Sequence, residues 1–189
     1  FLYKPGGSDK YEPITYKEFK NDVDALGTAL INIGLKGGRV AIIGENRYEW
    51  AVSYMAVVNG TGIVVPLDKE LPENEIESLL TRAKVDAIIF SGSLRSHILN
   101  ISKRIGFIKH YIDMNPQDGG ESGFIPFQSL IDSGRKKLGE GCRDFVDAEI
   151  DPEAMGILLF TSATTDKSKA VMLCHRNIVE NLMAMCSMT

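Results

Sequence analysis

The stretch from Leu158 to Leu173, LLFTSATTDKSKAVML, sets two apolar runs around a polar patch. Thr161, Ser162, Thr164 and Thr165 bring four hydroxyls and Lys167 and Lys169 two cations, while the loop amides, those of Ala163 and Asp166 included, add further donors. A polyphosphate needs short donors and positive charge in a tight turn, because many N–H and O–H groups must share its negative oxygens. The same residue types also make ordinary turns between strands. Composition leaves both readings open, a phosphate cradle and a plain hairpin.

Other familiar chemistry is missing. The first buried strand is followed by Gly44-Glu45-Asn46, which lacks the G-x-G-x-x-G fingerprint, and the chain holds no Gly-Lys pair for a Walker loop. There is no G-x-S-x-G elbow, no H-E-x-x-H, and no Cys/His spacing suited to zinc. His97, His110 and His175 are dispersed and read as structural or solvent-facing, since histidine catalysis needs a positioned partner. Met183, Met185 and Met188 read as packing, and Arg135-Lys136-Lys137 as a solvated face.

The elements that would carry the loop follow from periodicity. Thr15-Tyr16-Lys17-Glu18 has the spacing of a capping box, and Phe19, Val23, Leu26, Leu30 and Ile33 continue it as a helical stripe that Gly34 stops. Val40 to Ile43 is a short buried strand between glycine turns. Asn46 with Glu49 opens a second helix through Trp50, Tyr54, Val57 and Val58, ending at Asn59-Gly60, and Gly62 to Pro66 is strand-like. Pro72 suits a first helical position, with Ile76, Leu79, Leu80 and Ala83 as the apolar face before a strand from Val85 to Phe90. Ser93 to Arg104 and then Ile108 to Ile112 repeat the alternation, and a short helix surrounds Phe127 to Ile131. Strands Met155 to Phe160 and Ala170 to Leu173 frame the loop, and a helix from about Arg176 carries Ile178, Leu182 and Met185.

Short apolar strands alternating with helices predict an α/β class with a mainly parallel sheet flanked by helices, and a strand-loop-strand-helix at its C-terminal side. Residues 1–140 read as the α/β subdomain, 141–153 as an acidic linker, and 154–189 as the loop hairpin with its following helix.

A chain of 189 residues with 44% hydrophobic content suffices for a sizeable core. Its formal net charge of -4 supplies no basic surplus for nucleic acid. The longest apolar runs, MGILLF and GIVVPL, fall far below the roughly 18 residues of a membrane span, so a soluble protein with no transmembrane segment is expected. Cys142, Cys174 and Cys186 are odd in number and form no C-x-x-C pair, which suggests a reducing, cytoplasmic setting. The chain opens on Phe1 without a signal pattern and stops while an apolar helical stripe is running, giving the expectation of a piece of something longer.

The order of residues adds what composition cannot. TSATTDKSKAVMLCHRNI resembles the phosphate-binding signature of the adenylate-forming superfamily, whose common form is TSGTTGxPKGV followed by a histidine-led helix. ITYKEF, GGRVAIIGENRYEWAVSYMAVVNGTGIVVPLD and AIIFS are similar, in the same order, to the opening region of that superfamily's long-chain fatty acyl-CoA synthetases. The resemblance runs over nearly the whole chain.

It implies the incomplete N-terminal part of the adenylate-forming fold and a two-step reaction. A fatty acid carboxylate attacks the α-phosphorus of ATP, giving acyl-adenylate and pyrophosphate, and the CoA thiol then displaces AMP, with Mg²⁺ assisting. No catalytic nucleophile is implied. Thr161, Ser162, Thr164, Thr165 and Lys169 match the signature, and with Ala163, Asp166 and Lys167 they would surround the β- and γ-phosphates. Ala163, Asp166 and Ala170 depart from it where glycine is usual, and Ser168 where proline is. The adenine pocket, magnesium motif, ribose-binding Asp and C-terminal lysine would all come after residue 189, so this stretch alone is expected to be inactive. Two alternatives stay open: a non-catalytic binding module with a decayed loop, and an adenylating ligase for aromatic or amino acids.

Overall fold

The structure, a computed structural model, describes residues 2–3, 12–116, 123–161 and 168–188. In chain order the elements are β1 (Leu2–Tyr3), β2 (Glu12–Pro13), α1 (Tyr16–Asn32), β3 (Gly38–Ile43), α2 (Tyr48–Ala56), β4 (Gly62–Leu67), α3 (Glu73–Ala83) and β5 (Ala87–Phe90). They continue with α4 (Arg95–Arg104), β6 (His110–Asp113), β7 (Ile125–Pro126), α5 (Phe127–Gly139), β8 (Met155–Thr161), β9 (Lys169–Cys174) and α6 (His175–Ser187). The β1–β2 pair is a separate antiparallel ribbon.

The other seven strands form one sheet in the order β7-β6-β5-β3-β4-β8-β9, parallel throughout except for β9, which runs antiparallel to β8. This is the expected α/β class. The chain lays β4 on one side of β3, crosses to place β5 on the other, and returns after β7 to set β8 beside β4.

Alternation along each strand explains the unbroken apolar runs. Val40 and Ile42 of β3, Ala87 and Ile89 of β5, and Ile157 of β8 join the core shared with α1, α2 and α5. Their neighbours Ala41, Ile43, Ile88, Phe90 and Leu158 join the opposite core, under α3 and α4. Both faces of the sheet are therefore covered at its centre. Phe145, in the segment read as a linker, belongs to the first of these cores and is 4% exposed.

Helix starts and stops show which local signals hold. The Thr15 hydroxyl accepts the Glu18 amide at 3.2 Å, and the Glu18 carboxylate accepts the Thr15 amide at 2.7 Å, which completes the predicted capping box. Gly34 takes a left-handed φ of 87° and Leu35 donates its amide back to Leu30 O at 3.1 Å, so the glycine stop works as a Schellman turn.

Other boundaries differ from expectation. The second helix starts at Tyr48 behind an uncapped Arg47, because Glu49 takes the Arg47 guanidinium at 2.7 and 2.8 Å instead of capping. Its α-helical part ends at Ala56 in a π turn over Val57–Thr61, within which Asn59 and Gly60 are non-helical. Pro72 flanks α3 rather than opening it. Helix α5 runs on to Gly139, well beyond Ile131, and Gly134 within it meets the backbone of α1. Among the described residues no helix is long and apolar enough to cross a membrane.

Candidate functional site

Strand β8 leaves the sheet's interior pointing the same way as the other parallel strands and ends at Thr161. Strand β9 begins at Lys169, directly opposite Thr161, and the ladder continues through Phe160–Ala170 and Leu159–Val171. Directly opposed residues share a face, so Thr161 and Lys169 project together from the end of the hairpin. Both are exposed, and the Thr161 hydroxyl makes a long 3.5 Å contact to the Lys169 carbonyl. Ser162, Ala163, Thr164, Thr165, Asp166 and Lys167 lie outside the described residues.

Two of the departures from the glycine-rich signature fall on described residues. Ala170 sits in the β9 ladder opposite Phe160, and Ser168 immediately precedes that strand. Lys84 is the one non-glycine residue with a positive φ among those described, so neither Ala170 nor Ser168 holds a left-handed backbone. These two replacements cost no backbone strain.

The hairpin is tied to α3 by Arg82, a residue that sequence reasoning passed over. Arg82 Nη2 donates to the Ser168 carbonyl at 2.7 Å, and the guanidinium carbon lies 5.3 Å from the centroid of the Phe160 ring. A charged residue in the last turn of an amphipathic helix reads as solvated, and its partners lie some 80 residues away. No local signal marks it.

A second polar cluster caps the carboxyl ends of β3, β5 and β6, where the strand order reverses around β3 and where open α/β sheets commonly bind ligands. The Ser93 hydroxyl donates to Glu45 Oε1 at 2.6 Å, and the Ser91 and Ser93 hydroxyls lie 3.0 Å apart. That Ser93 hydrogen bond holds the Glu45 carboxyl below its ordinary range, against the opposing pull of burial. The Gly92 amide and the Arg47 guanidinium both donate to Asn115 Oδ1, and Arg95 pairs with Asp113 through two nitrogens at 2.8 and 2.6 Å. These groups spend their hydrogen bonds on one another, and the cluster acts as a fastening between three loops.

Two of the three histidines make contacts within the fold. His110 Nε2 lies 3.1 Å from the Ile33 carbonyl, and the His175 ring packs against Gly156. Among the described residues no group of three or more His, Cys, Asp or Glu side chains converges as a metal site would.

A mainly parallel sheet flanked by helices, with this antiparallel strand pair at one edge, has the architecture of the adenylate-forming fold. The structure is similar to that of a long-chain-fatty-acid-CoA ligase from Archaeoglobus fulgidus, with a TM-score of 0.77 at 18% identity, covering 97% of this chain and 34% of that one. It is similar as well to the adenylation domain of a carboxylate reductase from Mycobacterium chelonae, with a TM-score of 0.79 at 15% identity, covering 92% of this chain and 29% of that one. The profile of the family described as AMP-binding enzyme matches residues 2–189, and the chain belongs to that family. In sequence it is 31% identical over 186 residues to long-chain-fatty-acid–CoA ligase 5 of Rattus norvegicus. That match covers 92% of this chain and 27% of the relative's length.

Proposed function

We propose that this chain supplies the phosphate-binding hairpin of an ATP-dependent long-chain fatty acid CoA ligase. The observation that carries the reading is the position of Thr161 and Lys169, side by side at the exposed end of a hairpin rooted in the parallel sheet. In the reaction a fatty acid carboxylate displaces pyrophosphate from ATP to form acyl-adenylate, and CoA then takes the acyl group with release of AMP. The Thr161, Ser162, Thr164 and Thr165 hydroxyls, with the amides of Ala163 and Asp166, donate to phosphate oxygens. Lys167 and Lys169 neutralise the charge that pyrophosphate carries away. The protein's part is positioning and electrostatics, in a cytoplasmic setting and with Mg²⁺ accompanying ATP.

Asp166 brings a charge of the wrong sign. At about 4 Å from a phosphate oxygen it repels by about 1 kcal/mol in a water-like medium and about 4 at an effective dielectric of 20. Titration with MgATP tests the reading. Lys169→Ala weakens binding by about tenfold, and the pair Ala163→Gly, Asp166→Gly tightens it by about tenfold, each close to 1.4 kcal/mol. Equal affinities for parent and both variants would remove the hairpin from the nucleotide site.

A further inference from the structure

We infer that Arg82 is a positioning residue for the phosphate-binding hairpin, holding both of its stems from α3; the inference rests on the function proposed above. Among the described residues strand β9 has a single strand neighbour, β8, and its residues from Lys169 to Met172 are exposed, so the described sheet holds the hairpin's end from one side only. Arg82 supplies that constraint from outside the sheet. One planar group donates to the Ser168 carbonyl at the entrance to β9 and lies over the ring of Phe160, the residue before Thr161 in β8. It therefore touches the chain just before and just after the loop.

The element beneath Arg82 is firm enough to serve as an anchor. Ile76, Leu79, Leu80 and Ala83 of α3 are buried in the same core against which Phe160 packs. Thr161 and Lys169 face the opposite side of the hairpin from Phe160, because residues alternate along a strand. Arg82 can thus fix the backbone without occupying the space in front of Thr161 and Lys169. The chemistry calls for arginine in particular: guanidinium stacks on a ring and donates within its own plane, whereas an ammonium is a point charge that does one or the other.

The test uses the chain with Arg82→Gln, Arg82→Lys and Phe160→Leu, alone and as the pair Arg82→Gln, Phe160→Leu. Inorganic tripolyphosphate and MgATP are titrated, residue-resolved amide exchange is recorded, and Tm is measured. Arg82→Gln weakens tripolyphosphate binding by about tenfold, and Arg82→Lys does not restore it. Exchange at Thr161, Lys169 and Ala170 quickens by about fivefold or more, while Ile42 and Ile89 stay protected and Tm holds. Phe160→Leu added to Arg82→Gln costs little further affinity, because both remove one contact. Parent-like tripolyphosphate affinity in Arg82→Gln would overturn the inference, and so would unchanged exchange at the hairpin's end. Failure of the phosphate reading itself looks different: the parent binds no tripolyphosphate, and exchange alone then decides whether Arg82 holds the stems.

Discussion

Strands β3 and β5 and the β9–α6 unit each carry apolar residues and end in opposite conditions. Val40 to Ile43 and Ala87 to Phe90 are all 0% exposed, whereas Met172 of β9 is 70% exposed and α6 buries no residue. The cause is topological. Among the described residues, strands β3 and β5 have strand neighbours on both edges and helices over both faces, while β9 has one strand neighbour. An apolar pattern states which face seeks cover, and position in the sheet decides whether the described chain provides it.

The largest effect that can sharpen this contrast is a truncation at the centre. Phe90 is fully buried and meets Phe124 edge-to-face at 5.1 Å between ring centroids. Phe90→Ala is expected to cost about 3 to 5 kcal/mol, and Met172→Ala no more than about 0.5. Urea unfolding followed through the single tryptophan, Trp50, reads both. Similar losses for the two variants would erase the distinction between the regions.

A glycine gives the next effect and shows where sequence reading stops. A Cβ on Gly134 would lie 1.8 Å from the Ala25 carbonyl oxygen, so α1 and α5 touch through backbone at that point. Gly134→Ala pushes the two helices apart at a cost of about 1 to 3 kcal/mol, readable as a lower urea midpoint. An unchanged midpoint would mean that the helix contact is slack and that the paired-strand region is less tightly covered than its burial implies.

Gly134 also explains a shortfall in the sequence reading. The short helix read around Phe127 to Ile131 runs on through SGRKK, where Gly134 is small enough to admit α1. Much of the local chemistry was legible where partners are close in sequence, the start of α2 and the place of Pro72 excepted. The Thr15–Glu18 box, the Gly34 stop and the two strands of the hairpin all follow from neighbours within a few residues. Arg82 and Ser168 lie 86 residues apart, and Asn115 joins loops from three strands, so neither could be read before the topology existed. At the hairpin, the two flanking strands were legible, and the contacts that join them to α3 through Arg82 were not.

Acid sensitivity separates the regions again, with a smaller effect. Asp86 stands just before β5, where its carboxylate accepts the Arg39 amide at 2.9 Å and the Lys109 ammonium at 2.9 Å. The Arg39 amide first, and Lys109 second, hold its carboxyl below the ordinary range. A lowered folded-state value means the carboxylate stabilises fully above the unfolded range near pH 4 and loses that contribution as pH falls through the folded value. Asp86→Asn therefore lowers the urea midpoint at pH 7, and the gap to the parent closes in acid. A gap constant from pH 7 down to about pH 2 would show that the side chain matters for shape and not for charge.

The smallest effect belongs to α6. Val179, Leu182, Met183 and Met185 are 51 to 68% exposed, so a polar side chain there loses little that the folded chain provides. Leu182→Ser is expected to change stability by no more than about 0.5 kcal/mol, the range for surface sites that make no special contact. The control is Leu26→Ser in α1, at 0% exposure, which forfeits a fully buried side chain and leaves a hydroxyl among apolar neighbours. Because both changes remove the same side chain from a helix, helix propensity cancels between them and burial alone sets the difference. A loss at Leu182 approaching that at Leu26 would mean that α6 is packed in solution against a surface absent from the described residues.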